Sequence, residues 1–212
     1  MQRIRITYTK TGDLRYTSNL DVQKIWERFL RRAHLPVAYS QGFHPQPRIN
    51  QACPLPLGMS SRCELLDFWL KENFLVSEVK DALENSKPPG LDILFVIEVD
   101  LNLSPLQTRV LSSEYQVHLL DGVSKNELQT QINEILKMVS ILRERRGKIY
   151  DLRPLIEEIH IMEGREIISQ GIYMRLSARE GATGRPDEVL SALGIQVSDT
   201  SIQRIGLILE NE

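Results

Sequence analysis

The order in which strand-like and helix-like segments follow one another limits the fold more than any other feature of this sequence. Strand patterns, recognised by two-residue alternation or by dense β-branched and aromatic residues, fall at 4–9, 48–53, 63–70 and 91–100. Helix patterns lie after the first and third of these strands. The order β–α–β–β–α–β predicts a split βαβ, or ferredoxin-like, unit with an antiparallel sheet and both helices on one face.

The two helix patterns carry recognisable ends. The first begins at an N-cap, Ser18 or Asn19, and is stopped by Pro36. The second begins at Ser77 and ends before Pro88. Both helices therefore fit between strands within one compact unit.

The second half of the chain repeats the same order of elements. A strand pattern at 114–120 precedes a helix in which Ser124 and Glu127 form a capping box. A further strand pattern at 166–178 follows a turn at Gly164. The predicted fold class is therefore α+β, with two ferredoxin-like (split βαβ) units in tandem and their antiparallel sheets covered by helices on one face. The predicted domains are residues 1–104 and 105–212.

Composition and targeting signals favour a globular protein of the cytoplasm. Apolar residues make up 42% of the chain and charged residues 25%, which is ordinary for a folded domain. No apolar run approaches the roughly 18 residues of a spanning helix, and the N-terminus has no apolar signal region. Cys53 and Cys63 lack the spacing of a zinc site or a disulfide framework. We therefore expect no membrane association and a cytoplasmic location.

Charge is distributed unevenly along the chain. The formal net charge is −2, yet residues 1–50 carry nine Lys or Arg against three Asp or Glu, and residues 141–153 carry five against two. If folding brings these two basic blocks together, they form one positive surface of the kind that nucleic acids bind. The alternative is that each block is a solvated face neutralised by nearby acids.

The stretch AYSQGFHPQPRI at 38–49 contains an unusual set of side chains for a plain connection. Gly42 permits a sharp turn, and two prolines restrict the loop and lower the cost of ordering it. Aromatic rings here can stack on bases, and an arginine can hold a phosphate. We therefore predict an RNA- or anion-binding set in this loop and in the two basic blocks. Its members are Lys10, Arg15, Arg28, Arg31, Arg32, Tyr39, Phe43, His44, Arg48, Arg143, Arg145, Arg146, Lys148 and Arg153.

Catalytic motifs are absent from the sequence. It has no cluster-binding CxxxCxxC, no phosphate-binding GxxxxGK[ST], no GxGxxG opening a helix, no HExxH and no GxSxG. His44 is a candidate catalytic residue because histidine titrates near neutral pH, but no second catalytic group stands near it in sequence. The sequence therefore predicts no metal and no cofactor, and favours a non-enzymatic protein.

The first 70 residues resemble a bacterial radical-SAM-linked protein family, a domain of unknown function. The match lies in three motifs, GDLRYTSNLD, ERFLRRAHLPVAYSQGFHPQPRI and PLPLGMSSRCELLD, and a later basic segment, RERRGKIYDLRPLI, is also similar. Asn19 departs from the family pattern, which has His there. The resemblance implies that the chain is fused to, or encoded beside, a radical SAM enzyme, which would be its partner.

Three functions remain open at this level. The first is an RNA-binding accessory or substrate-recognition protein for a radical SAM RNA-modifying enzyme. The second is a protein-interaction module without nucleic acid, in which the loop at 38–49 docks onto an enzyme subunit. The third is a metal-independent endoribonuclease, with His44 as general base and Arg15 or Lys10 stabilising charge.

Overall fold

The computed structural model describes residues 1–120, 124–145, 147–162 and 171–210. Packing divides the chain into unit 1, Met1–Val110, and unit 2, Leu111–Glu212. The predicted domain limits, 1–104 and 105–212, stay a prediction. The short turn Leu106–Arg109 lies within unit 1, because it packs against the second strand and buries Leu106 completely.

Unit 1 has the order β–α–β–β–α–β. Its elements are β1 (Gln2–Lys10), α1 (Asn19–Arg32), β2 (Ile49–Gln51), β3 (Ser60–Leu70), α2 (Val76–Glu84) and β4 (Ile93–Val99). The sheet order is β4-β1-β3-β2, and neighbouring strands in it are antiparallel. The α+β fold class and the antiparallel sheet are confirmed.

The alternation in β1 sorts its side chains onto the two faces of this sheet. Ile4, Ile6 and Tyr8 point toward the helices and are fully or almost fully buried. They pack in one core with Trp26 and Phe29 of α1, and the rings of Tyr8 and Trp26 meet edge to face at 4.9 Å. The odd-numbered residues of β1, including two arginines, therefore lie on the face away from the helices.

Helix α1 begins as predicted but ends at Arg32, three residues before the predicted end at Leu35. Ser18 is the N-cap, and its hydroxyl and the Asp21 carboxylate form a reciprocal capping box. At the other end, His34 has a left-handed φ of 55°, and the Leu35 N–H donates to the Leu30 carbonyl at 3.2 Å. This Schellman-type ending terminates the helix before Pro36 is reached.

Unit 2 repeats the plan with an added hairpin. Its elements are β5 (Val110–Leu119), α3 (Lys125–Lys137), β6 (Leu142–Arg145), β7 (Lys148–Asp151), β8 (Ile156–Met162), β9 (Gly171–Arg179), β10 (Ala182–Thr183), α4 (Pro186–Ala192) and β11 (Thr200–Leu209). The sheet order β11-β5-β9-β8 matches that of unit 1, with β10 pairing the far end of β9. The predicted turn at Gly164 and the start of the 166–178 strand lie outside the described residues.

One predicted helix start and one predicted capping box need correction. Helix α2 begins at Val76, because the Glu78 carboxylate accepts the Leu75 N–H at 3.0 Å, so Ser77 lies inside the helix. Ser124 is the N-cap of α3, but its side chain makes no capping hydrogen bond. Within the described ranges, no helix is both long and apolar enough to cross a bilayer.

Candidate functional site

Residues 37–48, which the sequence pattern suggests are a loop, form a hydrogen-bonded hairpin. The Ala38 N–H donates to the Trp69 carbonyl of β3 at 2.7 Å, and the Arg48 N–H donates to the Ala38 carbonyl at 2.8 Å. Trp69 in turn donates its backbone N–H to the Arg48 carbonyl at 3.2 Å. The base of the 37–48 hairpin is therefore fixed to the edge of the sheet by main-chain bonds, which position Arg48 and Tyr39.

The tip of the 37–48 hairpin presents its side chains to solvent. The Ser40 and Gln46 backbones are joined at 2.8 Å, and the Ser40 hydroxyl accepts the Gln46 N–H at 3.0 Å. Between them Gly42 adopts φ 131°, a conformation that L-residues rarely adopt. Phe43 is 101% exposed and His44 is also exposed. An aromatic ring without any packing partner in the described chain is available for a ligand.

The sheet face opposite the helices carries arginines and a tryptophan in register. Arg3 of β1 lies directly opposite Trp69 of β3, and Arg5 lies opposite Asp67. The guanidinium carbons of Arg3 and Arg48 are 4.9 Å and 4.5 Å from the centroid of the Trp69 ring. Both cations are therefore held against one indole by cation–π contact.

A buried ionic cluster supports this row of side chains. The Asp67 carboxylate is fully buried and accepts from Arg3 Nε at 2.9 Å and Nη2 at 2.6 Å, and from Arg5 Nε at 2.8 Å and Nη2 at 3.0 Å. Arg3 also donates to the carbonyl oxygens of Leu103 and Ser104. Two guanidinium groups share one carboxylate, so the cluster keeps an excess positive charge beneath the surface.

Arg3 of this cluster and Trp69 line a groove in unit 1, here named the Trp69 groove. Its volume is about 410 Å³. The polar side chains in its lining are Arg3, Ser40, Gln46, Arg48 and Asn50. No acidic side chain belongs to the lining, and among the described residues no carboxylate pairs with Arg48. The groove is therefore cationic, with an aromatic wall and neutral hydrogen-bonding groups at its sides.

Further cations lie near the same hairpin. Lys71 Nζ is 5.9 Å from the Tyr39 ring, and both residues, with Arg48, line a second depression of about 640 Å³. A smaller cavity of about 170 Å³ is lined by Arg31 of α1 together with Tyr39 and Lys71. Glu27 also lines that cavity, so its charge is partly balanced. The basic side of α1 and the 37–48 hairpin thus border common space.

The predicted residues of unit 1 divide into exposed and structural ones. Arg28 and Arg31 are exposed on α1, and within the described chain neither makes an ion pair. Arg32 instead donates to the Ser86 carbonyl and lies against Phe29, at 5.9 Å from its ring. Arg15 is exposed and stacks on its neighbour, Tyr16, at 4.7 Å.

Lys10 occupies a different environment from the one its charge suggests. It is 2% exposed, and its ammonium donates to the Thr17 carbonyl at 2.9 Å. This contact ties β1 to the start of α1. Lys10 is therefore placed as a structural cation rather than on a binding surface, because its charged group does not reach solvent.

The basic residues of unit 2 lie on and beside the β6–β7 hairpin. Arg145 pairs opposite Lys148 and both are exposed, whereas Arg143 is half-buried opposite Tyr150. Arg153 donates to the carbonyls of Leu136 at 3.0 Å and Ile156 at 3.4 Å, which fixes the end of α3. Arg146 lies outside the described residues. That the two basic blocks share one surface stays a prediction.

Tyr150 has the most perturbed ionisation near this hairpin. Burial, followed by a hydrogen bond to the Glu188 carboxylate, raises the pKa of Tyr150 to about 12. The phenol is therefore protonated at neutral pH and can only donate or accept hydrogen bonds.

Metal-binding and disulfide chemistry find no support in the described part of the chain. Across residues 1–120, 124–145, 147–162 and 171–210, no three His, Cys, Asp or Glu side chains are grouped as metal ligands. Cys53 is buried and Cys63 half-buried, and neither forms a disulfide.

The missed site residues are Arg3, Asn50, Asp67 and Trp69. The alternation in β1 does signal a charged face at Arg3 and Arg5. What the sequence does not show is the register that places Trp69 and Asp67 opposite them. The alternation in β1 is enough to find Arg3 on the charged face. Its partners on β3, Trp69 and Asp67, are known only from the structure.

Taken together, the fold and the groove define an α+β protein of two βαββαβ units with an anion-attracting face beside a rigid hairpin. The chain belongs to the bacterial family described as "Uncharacterized protein conserved in bacteria (DUF2344)", which matches residues 3–186. This confirms the resemblance to a bacterial family of unknown function, whereas the link to radical SAM enzymes stays a prediction. No curated protein gives a significant match.

Solved structures show likeness in fold at low sequence identity. A chain of a Cbf5–Nop10–Gar1 complex has a TM-score of 0.51 and 10% identity, over 96% of this chain and 48% of that one. A chain of an H/ACA RNP bound to a substrate RNA containing 2′-deoxyuridine has a TM-score of 0.49 and 10% identity, over 96% and 47%. The acetolactate synthase small subunit from Thermotoga maritima has a TM-score of 0.27 and 11% identity, over 100% and 98%. This chain spans about half the length of the first two.

Proposed function

We propose that this chain is an RNA-binding protein that serves a radical SAM RNA-modifying enzyme as an accessory or substrate-recognition subunit. The observation that carries the RNA half is the Trp69 groove, a cationic and aromatic channel bordered by the 37–48 hairpin. The enzyme half rests on the resemblance to radical-SAM-linked proteins. The solved neighbours share the fold alone and add no weight to either half.

Phosphate recognition follows from the arrangement of Arg48. Its backbone is fixed by two main-chain hydrogen bonds, and its guanidinium lies on Trp69 without a carboxylate partner in the described residues. A pre-positioned arginine loses little conformational entropy when it binds a phosphate, and its planar fork matches two phosphate oxygens. The excess charge on the Arg3–Asp67–Arg5 cluster adds attraction from below.

Base recognition follows from the aromatic side chains of the hairpin. Phe43 is fully exposed at the tip and Tyr39 is 44% exposed at the base. Bases of unpaired RNA stack on such rings, whereas the bases of a duplex are already stacked on one another. The site therefore favours single-stranded segments, loops or ends of RNA over a regular duplex.

The RNA half is tested by fluorescence anisotropy with a 5′-labelled, unstructured 20-nucleotide RNA. We expect Arg48→Ala to weaken binding about tenfold, in the range of one lost charge-assisted contact. Arg62→Ala is the matched control, since Arg62 is an exposed arginine of β3 outside the groove lining. Equal affinity of the two variants, or no binding of the parent protein at 50 mM salt, would remove RNA from the proposal.

The enzyme half needs a separate experiment. The chain is co-expressed with a radical SAM enzyme of the same organism and purified after nuclease treatment. A stoichiometric complex supports the accessory role. Its failure to form in the presence and absence of RNA would leave an RNA-binding protein without this partner.

A second candidate is a protein-interaction module without nucleic acid. The observation that favours it is the apolar ring of Phe43, which is fully exposed at the hairpin tip. In that case the parent protein should show no detectable RNA binding, and Phe43→Ala should abolish the complex with the enzyme.

The endoribonuclease hypothesis is tested by measuring RNA cleavage by the parent protein and by His44→Ala. The hypothesis requires that the parent protein cleaves RNA and that the substitution abolishes this activity.

A further inference from the structure

Strand β4 is an edge strand of unit 1 with unusual side chains. Among the described residues, β1 is its strand partner on one side, and no strand pairs with it on the other. Phe95 is 66% exposed, Ile97 is 50% exposed and Leu94 is 39% exposed. Phe95 and Ile97 lie opposite Thr7 and Arg5, so both project from the face away from the helices. The strand thus offers unpaired backbone groups together with an apolar surface.

Exposed edge strands in natural proteins normally carry features that prevent further pairing. Lysines, prolines, bulges and short length are the usual ones. The seven residues ILFVIEV contain neither Lys nor Pro, and Glu98 is their one charged member. The register against β1 shifts once, at Leu94, and Phe95–Val99 then form a regular ladder. The weak protection of this regular stretch indicates that the edge is covered by another strand in the working assembly.

The charge around β4 restricts what can cover it. Residues 72–100, which hold α2 and β4, contain seven Asp or Glu against two Lys. Asp92 and Asp100 lie just beyond the two ends of the strand, and both are exposed. RNA is repelled here. A second copy of this chain is also disfavoured, because antiparallel self-pairing about Val96 would set Asp92 against Asp100 at both ends.

We infer that the β4 edge binds a strand of a different protein, in which basic residues alternate with apolar ones. Its main chain would extend the sheet of unit 1, its apolar side chains would cover Phe95 and Ile97, and its cations would meet the acids around the strand. This docking surface is separate from the Trp69 groove and does not depend on RNA binding.

The test uses synthetic nine-residue peptides in which Lys alternates with Val, titrated into the full-length protein by fluorescence anisotropy. We expect binding that weakens at least tenfold with Phe95→Lys or Ile97→Lys, while Leu75→Lys, an equally exposed apolar position at the start of α2, leaves it unchanged. A peptide with Glu in place of Lys should not bind. Circular dichroism is used to check that each variant folds. We expect each to do so, because the substituted side chains are exposed.

Backbone methylation separates strand addition from simple charge attraction. Two further peptides carry N-methyl groups on alternate residues. In one peptide the methyl groups block the N–H groups along one edge of the strand, and in the other they block those along the opposite edge. Strand addition predicts that one of them loses at least tenfold in affinity and the other keeps it, since only one edge of the ligand pairs with β4. Equal binding of both, or binding that ignores the β4 variants, overturns the inference. So does sedimentation showing a dimer of the parent protein that Phe95→Lys dissociates.

Discussion

Replacing Asp67 with Asn removes the negative charge that Arg3 and Arg5 share. The side chain keeps nearly the same shape, but two guanidinium groups are left in a buried site without a counter-charge. Breaking a buried ion pair by removing one partner costs about 3–5 kcal/mol. Four hydrogen bonds of 2.6–3.0 Å converge on this carboxylate, so we place the expected loss in the free energy of unfolding within that range.

The assay is urea denaturation followed by tryptophan fluorescence. The chain has two tryptophans, Trp26 and Trp69, and both belong to unit 1. The signal therefore reports the unfolding of the unit that carries the mutation. With an m-value of about 2 kcal/mol/M, a loss of about 4 kcal/mol lowers the midpoint by about 2 M urea.

Two companion variants sharpen this experiment. Glu72→Gln removes an exposed carboxylate just after β3 and should move the midpoint by less than about 0.3 M, since exposed charges contribute little. Arg5→Met should be destabilising in the parent protein but less so in Asp67→Asn, where it removes one of the two unpaired cations. A midpoint shift below about 0.5 M for Asp67→Asn would refute the ionic cluster as a stabilising unit.

Three further predictions concern binding and pH. Arg48→Ala should reduce the slope of log affinity against log salt by about 0.7 to 1, because one phosphate contact is lost; an unchanged slope in a salt series would place that arginine outside the interface. Phe43→Ala should weaken single-stranded RNA by about 1–3 kcal/mol and leave a duplex of equal length unaffected, which competition titrations measure; an equal loss for both would argue against stacking. Because the folded protein raises the pKa of Tyr150 to about 12, it keeps this proton when the unfolded chain loses it, so stability falls as pH rises from about 10 toward 12. The denaturation midpoint of the parent protein should therefore fall relative to that of Tyr150→Phe as the pH rises through this range, and identical pH profiles of the two proteins would contradict the assignment.

The order of elements could be predicted because it depends on local patterns. Alternation along β1 and the Ser18–Asp21 capping box are properties of neighbouring residues, and the structure has both. The start of α2 was misplaced because Ser77 is a strong N-cap type, whereas the chain uses the Glu78 side chain to accept the Leu75 N–H. The choice between these two possible N-termini of α2 depends on how the helix packs, and this packing cannot be inferred from the local sequence.

The candidate site could be predicted only in part, for the same physical reason. The prolines and Gly42 indicated a restricted loop, but the bonds that hold the hairpin join it to Trp69, which is about thirty residues away in sequence. Lys10 resembles any other cation of the first basic block until its burial is known. Arg3 and Asp67 are 64 residues apart, and only their pairing across β1 and β3 makes them one group.

The sharing of Asp67 by two arginines has a consequence for how a ligand leaves the Trp69 groove. The positive charge in the lining of this groove comes from arginines, Arg3 and Arg48, and arginine serves proteins as a permanent cation. A histidine-lined pocket would release an anion as the medium becomes more alkaline, but this one has no such proton-driven exit. Under the proposed function, release of bound RNA would therefore depend on ionic strength or on a competing polyanion.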